Sequence, residues 1–338
     1  MRKLIFIVIA AAVLYGGYWF VAARGMEAGL NKWLDARAES GWVTDRSSLT
    51  VQGFPNRLDT TVEDLTLSVP GTGLTWKAPF FQVLALSYRP NRVIAVWPHE
   101  QSLTAPGAGT VTIRSKDMRA SAAFTPTTDL TLDHSTMVVD GLGLRSDQGW
   151  TLAAGNLRLA TRPEPDRRNG YEIGFQVSAL HPSDALMRRI GLAGAAPATM
   201  QLLNLDGVVE LNKPLDRHVL DGAPAQITAL RVKSLLVQWG DMELKSNGGL
   251  SVGADGRIGG EVTLQLTDWK GMLRVAVAAG VLSSDVVTRI TPPLEKMAAL
   301  SVPDDSTLDV PLKFTDGKMY LGPVPLGPAP VLGVSQRQ

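Results

Sequence analysis

The chain has two regions with different hydrophobic patterns. Its first part holds an uninterrupted apolar run, Leu4–Ala23, in which no residue is charged. From Gly41 onward, apolar and polar residues instead alternate in short segments. A helix of about 20 residues, at about 1.5 Å per residue, matches the roughly 30 Å hydrocarbon core of a bilayer. The pattern therefore predicts a membrane-spanning helix followed by a β-rich body.

The side chains predicted to lie in the bilayer are the large apolar and aromatic ones of this run. They are Leu4, Ile5, Phe6, Ile7, Val8, Ile9, Val13, Leu14, Tyr15, Tyr18, Trp19 and Phe20. Three of them, Tyr15, Tyr18 and Trp19, gather near the far end, where amphipathic rings favour the membrane–water boundary. A cleaved secretion signal is the alternative, but its apolar stretch is shorter, and Val21–Ala23 is a mediocre cleavage site. We expect a retained anchor over residues 1–24.

The charged residues that flank this run predict its orientation. Arg2, Lys3 and the amino terminus are all positive before the run. Beyond it, the basic residues Arg24, Lys32 and Arg37 are balanced by the acidic residues Glu27, Asp35 and Glu39. Positively charged flanks stay in the cytoplasm, so we expect a cytoplasmic N-terminus. No other segment of the sequence has about 20 uncharged apolar residues, which predicts a single-pass protein whose remaining residues lie across the membrane.

Residues 25–41 predict a helical stalk that follows the anchor. Apolar side chains recur there at helical spacing, at Met26, Leu30, Trp33 or Leu34, and Ala38, and Gly41 is a suitable stop. The simplest interpretation is that this stripe packs on its own domain or at the membrane surface. Binding of a partner helix is the alternative.

Residues 42–338 predict a mainly β domain. Apolar and polar residues alternate in Leu65–Val69, Val111–Ile113, Leu130–Leu132, Trp150–Leu152, Leu157–Leu159 and Tyr171–Val177. Turns are predicted between such runs at Arg89–Arg92, Asp140–Gly141, Asp255–Gly256 and Asp316–Gly317. Parallel strands would need helical crossovers, which are mostly missing. We therefore expect a long antiparallel curved sheet, or several such sheets, with a few short helices.

Two helical regions interrupt the strands. His181–Ile190 predicts a short helix with Ser183 as its cap and Gly191 as its stop. Asp268–Leu300 predicts a helical pair, in which Ser284 or Asp285 caps the second helix and Pro292–Pro293 breaks it. The short helix and the small residues after it make 181–197 the predicted internal boundary, if the body has two domains.

The C-terminal segment predicts a hairpin at Asp316–Gly317 and then an extended tail. Its prolines, Pro323, Pro325, Pro328 and Pro330, belong on a sheet edge or outside the sheet because proline cannot donate to a ladder. Such an edge is protected from pairing with other chains.

Composition supports a folded body and excludes some classes of function. The chain is 45% hydrophobic and 19% charged, which supplies a core. A net charge of +1 without a long basic run argues against a nucleic-acid partner. The absence of cysteine excludes disulfides, thiol catalysis and thiolate metal sites.

Residues with catalytic or metal-binding chemistry form no motif. His99, His134, His181 and His218 lie far apart, and no zinc, nucleotide or nucleophile-elbow signature is present. Three acidic residues, Asp304, Asp305 and Asp309, fit a solvated loop better than a calcium site. We therefore predict no catalytic, cofactor-binding or metal-binding residue, no cofactor and no enzyme activity.

Several motifs carry a resemblance to a known family. Gly41–Trp42 with VQGFPNRLD, the stretches GDMEL and GADGRIGGEVTLQLTDW, and the closing FTDGKMYLGPVPLGPAP resemble a membrane-anchored alphaproteobacterial family of unknown function, DUF 2125. The strand–turn–strand–helix unit is more loosely similar to AsmA-like envelope proteins, whose folded-over sheets carry lipid-facing grooves. The resemblance implies a bacterial inner-membrane protein with a periplasmic C-terminal domain, and it transfers no catalytic residue.

Three functions remain open at this stage. The favoured hypothesis is a non-catalytic module in the cell envelope, anchored in the lipid bilayer, whose apolar sheet face binds or shields the acyl chains of phospholipids. The second is a scaffold that binds an envelope protein through an exposed strand edge. The third is a hydrolase whose Ser, His and Asp residues converge from distant positions.

Overall fold

The computed structural model describes residues 1–219, 224–301 and 307–331 of the chain. Within these ranges the chain forms four α-helices and 18 strands. The helices are α1 (Arg2–Glu39), α2 (Asp184–Arg189), α3 (Trp269–Ala278) and α4 (Ser284–Ser301). The first nine strands are β1 (Val43–Asp45), β2 (Ser48–Gln52), β3 (Arg57–Val69), β4 (Leu74–Leu86), β5 (Arg89–Val96), β6 (Glu100–Ala105), β7 (Gly109–Arg114), β8 (Asp117–Phe124) and β9 (Leu132–Ser146). The other nine are β10 (Thr151–Pro163), β11 (Gly170–Pro182), β12 (Met200–Leu211), β13 (Ile227–Trp239), β14 (Met242–Val252), β15 (Ile258–Thr267), β16 (Thr307–Thr315), β17 (Lys318–Leu321) and β18 (Val324–Pro328).

The strands pair in antiparallel ladders. In the N-terminal part β3 pairs with β1, β2 and β4. In the C-terminal part the strands from β10 to β18 pair in chain order. The predicted fold class is confirmed: the chain is mostly antiparallel β, with an apolar N-terminal helix and a few further helices, including the C-terminal pair α3 and α4.

The described chain forms two compact units. The first contains Met1–Leu130 and Ser135–Gly149, and the second contains Thr131–His134 and the chain from Trp150 onward. The stretch 181–197 lies inside the second unit. The division into an anchor (1–24), a stalk (25–41) and a β domain (42–338) stays a prediction.

In the first unit, α1 packs on one face of the strands. It runs unbroken to Glu39 and is followed by Gly41 with a φ of +87°, the stop predicted from the sequence. Its buried residues Trp19 and Ala23 share a core with Leu58 of β3 and Ala85 of β4. Leu58 and Ala85 are direct cross-strand partners, so they point to the same face of the sheet.

In the second unit, the helices α3 and α4 cover the last strands of the meander. Trp269, Ile290, Leu294 and Leu308 form the centre of this core, and each exposes at most 1% of its surface. Leu308 belongs to β16, whereas Ile290 and Leu294 are one helical turn apart on α4. The amphipathic spacing of α4 therefore places its apolar side on the sheet.

The cap predicted for α2 and the turns predicted at Asp255–Gly256 and Asp316–Gly317 are confirmed. The cap predicted at Ser284 or Asp285 is wrong, because α4 begins at Ser284 and the Val286 N–H donates to the Ser283 hydroxyl before it. The Ser183 hydroxyl accepts a hydrogen bond from the Leu186 backbone N–H at the start of α2. Asp316 and Gly317 have φ values of +50° and +70°, as a tight hairpin between β16 and β17 requires. Pro325 and Pro328 lie in β18, which pairs with β17 at the edge of the described sheet.

Two predicted turns are wrong. Asp140–Gly141 lies within β9, where Gly141 has a φ of +60° and the Asp140 carbonyl accepts a hydrogen bond from the Lys116 N–H. Arg89–Arg92 begins β5, and the turn before it is Ser87–Tyr88. A glycine at positive φ occurs at strand irregularities as well as in turns, so an Asp-Gly dipeptide alone does not identify a turn.

The predicted break at Pro292–Pro293 is also wrong, because α4 continues through both prolines. Buried residues lie on either side of the pair, since Ile290, Leu294 and Ala298 expose 1%, 0% and 2% of their surfaces. Their spacing of four residues keeps them on one face of the helix. Burial on both sides of the prolines outweighs the lost helical hydrogen bonds.

Candidate functional site

The N-terminal part of α1 exposes the apolar surface that the sequence predicts for a membrane anchor. Every residue from Leu4 to Leu14 is exposed. The helix is long and apolar enough to cross a membrane, and it is the one such helix among the described residues. This surface has the chemistry of a lipid-facing helix.

The aromatic residues at the far end of the run instead contact the first unit. The Trp19 indole N–H donates a hydrogen bond to the Arg57 carbonyl at 2.6 Å, and the ring is 6% exposed. The Tyr18 hydroxyl donates to the Ser87 carbonyl at 2.7 Å. The Tyr15 hydroxyl lies 2.8 Å from the Ser87 Oγ. The helix is thus held by the β-strands before the predicted span ends.

The stalk also packs on its own unit. The Thr44 hydroxyl donates to the Leu34 carbonyl at 3.4 Å, and the Arg46 guanidinium donates to Asn31 Oδ1 at 2.7 Å. Met26 packs near Trp19, and its sulfur accepts a hydrogen bond from Thr60. These contacts match the interpretation that the stripe lies on its own domain.

Cross-strand pairing in the second unit builds one continuous apolar face. A first row crosses seven strands from β10 to β16 and consists of Leu157, Val177, Leu203, Val237, Leu244, Leu266 and Leu308. A second row consists of Leu159, Phe175, Leu205 and Leu235 on β10 to β13. Directly paired residues point to the same side of a sheet. We call this side, defined by the two rows, the apolar face.

The apolar face is covered at one end, and elsewhere its side chains are half-exposed except for the buried Val177. Helix α3 packs on β14, and α4 packs on β16 and β18. An apolar cavity of about 200 Å³ lies beside α3, lined by Val237, Trp239, Met242, Leu244, Met272 and Val275. On β10 to β12, the side chains of Leu157, Leu159, Phe175, Leu203 and Leu205 remain half-buried. Side chains that other parts of the chain do not fully cover can accept an apolar ligand.

Two glycines allow close backbone approach between β14 and β15. Gly248 has a φ of +144°, and a Cβ placed there would lie 2.4 Å from the Glu261 carbonyl oxygen. Gly260 has a φ of +115°, and its Cβ would lie 2.3 Å from the Gly249 carbonyl oxygen. Both positions require glycine because any other residue would collide with the neighbouring strand.

Comparison with known proteins assigns the chain to a family. A family model described as "Uncharacterized protein conserved in bacteria (DUF2125)" matches residues 19–330, almost the whole chain. The chain belongs to the DUF2125 family. No curated protein and no solved structure matches it. The restriction to alphaproteobacteria and the likeness to AsmA-like proteins stay predictions.

The histidines of this DUF2125 protein have separate environments. His99 Nδ1 lies 3.1 Å from the Ser115 carbonyl, and His181 Nδ1 lies 2.9 Å from the Thr199 hydroxyl. The ring of His134 contacts the adjacent Asp133, and His218 follows Asp216 in a 3₁₀ turn. Across the residues that the structure describes, no group of three metal-ligating side chains comes together. Asp304 and Asp305 lie outside those residues, and Asp309 is exposed on β16.

The opposite side of the DUF2125 sheet carries a charged cluster. Glu172 forms an ion pair with Arg162 and another with Lys233, whose Nζ also lies 3.8 Å from the Glu164 carboxylate. Hydrogen bonds from Lys233 and Arg162 lower the pKa of Glu172 to about 2. The cluster joins β10, β11 and β13 on the polar side, away from the apolar face.

The lowered pKa of Glu172 predicts acid sensitivity of these strands. Because the folded-state pKa is lower than the ordinary value, the ionised carboxylate stabilises the fold above about pH 4.5, and this contribution is lost as the pH falls towards 2. We expect Glu172→Gln to reduce the melting temperature at pH 6, and the difference from wild type to shrink at pH 3. Thermal unfolding at both pH values checks this. A difference of the same size at pH 3 would contradict it.

Proposed function

We propose that this DUF2125 protein is a non-catalytic, membrane-anchored module that binds and shields lipid acyl chains on its apolar face. The N-terminal helix crosses the bacterial inner membrane with its N-terminus in the cytoplasm, and the β-rich units lie in the periplasm. The proposal rests on one observation: two adjacent rows of Leu, Val and Phe side chains run across β10 to β13, and all of them except the buried Val177 stay half-exposed.

The size and chemistry of the apolar face suit an extended hydrocarbon chain. The four strands that α3 and α4 leave uncovered, β10 to β13, give a row roughly 14 Å wide at about 4.8 Å spacing. Acyl carbons removed from water on such a surface gain about 25 cal/mol per Å². On β10 to β12 the opposite side carries Arg158, Gln176 and Asn204 in one cross-strand row, which continues to Leu236 on β13, so this side is the more polar one. A lipid tail would therefore bind one side of the sheet only.

The strand-addition alternative has less support from the described edge. Strand β18 is five residues long, and it contains Pro325 and Pro328. A proline lacks the N–H that an added strand would need, so this edge is poorly suited to a protein partner.

Photo-crosslinking tests the proposal. The full chain is reconstituted in vesicles with a phosphatidylglycerol that carries a photoreactive group in its acyl chain, and crosslinked peptides are identified by mass spectrometry. Crosslinks on α1 report the lipid that surrounds the anchor. We expect further crosslinks on β10 to β13, at Leu159, Phe175 or Leu205.

A matched pair of variants makes this test specific. Phe175→Asp places a charge on the apolar face, whereas Gln176→Asp places the same charge on the opposite face of the same strand. We expect Phe175→Asp to lower crosslinking on β10 to β13 about tenfold, because burying a carboxylate against an acyl chain costs well over 1.4 kcal/mol. Gln176→Asp should leave it unchanged. Crosslinks confined to α1, or equal losses in the two variants, would show that the apolar face does not bind lipid.

A further inference from the structure

The first unit carries exposed apolar side chains where α1 emerges from the strands. They are Tyr18, Phe20, Val21, Phe54 and Tyr88, and we call them the collar. The rings of Phe20 and Phe54 stack with their centroids 5.6 Å apart. Phe54 and Tyr88 expose 55% and 60% of their surfaces. The collar therefore joins the apolar surface of the helix to the loops at one end of β3, β4 and β5.

The length of the exposed helix does not match a bilayer on its own. The freely exposed stretch Leu4–Leu14 is about 16 Å long at about 1.5 Å per residue, roughly half of a 30 Å hydrocarbon core. The complete apolar run ends only at Ala23, but Trp19 and Ala23 are already buried against Leu58 and Ala85. If the run is to cross the bilayer, the strands that hold its last residues must enter the membrane with it.

Several backbone polar groups at this end have hydrogen-bond partners within the protein. The Ser87 N–H donates to the Asn56 carbonyl and the Arg57 N–H to the Gly53 carbonyl. The Ser87 hydroxyl donates to the Pro55 carbonyl. As described above, the carbonyls of Arg57 and Ser87 accept hydrogen bonds from side chains of α1. Backbone that enters a lipid phase needs such internal partners, because lipid tails supply none.

Basic residues lie next to this end. Arg57 begins β3 and Arg89 begins β5, and each is paired with Leu86 of β4. Both are exposed. Arg57 forms an ion pair with Asp59 at 2.8 Å. The positive charge of Arg89 suits the phosphates of lipid headgroups at the membrane surface.

From these observations we infer that the collar end of the first unit inserts into the leaflet from which α1 emerges. The inference rests on the membrane anchoring in the proposed function, and it adds a second contact with the bilayer. The collar lies in the headgroup and upper acyl region of the leaflet. The apolar run from Leu4 to Ala23 therefore crosses the bilayer, and the strand ends of the first unit surround the last turns of that run.

Depth-dependent fluorescence quenching tests this inference. The chain has no cysteine, so a fluorophore can be attached to a single introduced cysteine without background. Phe54→Cys and Tyr88→Cys place the label on the collar. Leu74→Cys is the matched control, because this 39% exposed residue lies at the opposite end of the β3–β4 hairpin, roughly 40 Å away along the strand. Ile9→Cys reports the anchor itself.

The full-length variants are reconstituted in phosphatidylethanolamine–phosphatidylglycerol vesicles. Nitroxide groups on the lipid headgroup or acyl chain, or iodide in water, serve as quenchers. We expect the label at residue 9 to lose emission with deep acyl nitroxides and the labels at 54 and 88 to lose emission with shallow nitroxides. The label at 74 should respond to iodide only.

Two results would overturn the inference, and they are distinguishable. If the labels at 54 and 88 respond to iodide as the label at 74 does, while residue 9 is quenched deep in the bilayer, the anchor is correct and the collar stays in water. If the label at residue 9 is itself open to iodide, membrane anchoring fails, and the inference fails with it.

Discussion

Replacing Trp19 with alanine should lower the free energy of unfolding of the first unit by about 3–5 kcal/mol, the range for deleting a large buried aromatic side chain. The ring is 6% exposed and packs beside Leu58 and Ala85. The substitution also removes the indole N–H that donates a hydrogen bond to the Arg57 carbonyl. Hydrogen exchange of the full chain in mild detergent should show lost protection at the ends of β3 and β4.

Two further variants separate packing from hydrogen bonding at this position. Trp19→Phe keeps a ring but loses the indole N–H, so it should cost about 1–3 kcal/mol through the unpaired carbonyl and the smaller volume. The neighbouring residue Phe20 is 52% exposed, so Phe20→Ala should change hydrogen exchange of the unit little. If Phe20→Ala destabilises the unit as much as Trp19→Ala does, the burial and the hydrogen bond of Trp19 do not account for the loss of stability.

Replacing Leu294 with alanine should lower the free energy of unfolding of the second unit by about 2–5 kcal/mol. Leu294 is fully buried between α4 and the sheet, in contact with a core that includes Ile290 and Leu308. The truncation leaves a cavity, because the two prolines that precede Leu294 limit how far the helix can adjust. Denaturant unfolding, followed by hydrogen exchange in α4 and β16, measures the loss.

Val281→Ala is the control for this prediction, since Val281 is 70% exposed and lies just before α4. We expect it to change the stability by less than about 0.5 kcal/mol. Similar losses for the two variants would mean that α4 does not anchor the core of the second unit.

The role of Trp19 changes how a soluble form of the protein should be made. A body that begins at Gly25 would lack both Trp19 and Ala23, so Leu58 and Ala85 would lose their cover. Such a fragment would expose new apolar surface next to the collar. Lipid binding is therefore better measured on the full chain in vesicles.

The alternating pattern of the sequence predicts the β fold, because the side chains that share one face of a strand recur at every second residue. Tyr171–Val177 lies within β11 as expected, and Ser183 caps α2 because its hydroxyl meets a free N–H. The sequence does not reveal which strand pairs with which. Pro79, for example, lies in β4 between residues paired with β6 and residues paired with β5, where a missing N–H is tolerated.

The candidate site was only partly predictable, for a related reason. The apolar residues of the face are visible as strand positions, but their common row depends on the register of seven strands. The collar combines residues that are far apart in the chain, such as Phe20 and Tyr88, and single exposed aromatic residues carry no signal in sequence. Pro292–Pro293 does not break α4, because local helix propensity yields to burial on both sides of the prolines.

The tight approach at Gly248 and Gly260 affects how relatives of this chain should be compared. A residue other than glycine would collide with the neighbouring backbone at either position, whatever ligand the protein binds. Invariant glycines in β14 and β15 of related sequences would thus report the path of the backbone. A search for the proposed lipid site that looks for invariant residues would select these glycines first, whereas a surface that needs only hydrophobic side chains can exchange Leu, Val and Phe freely. Hydrophobic character retained at variable positions is therefore the better test of the proposed binding surface.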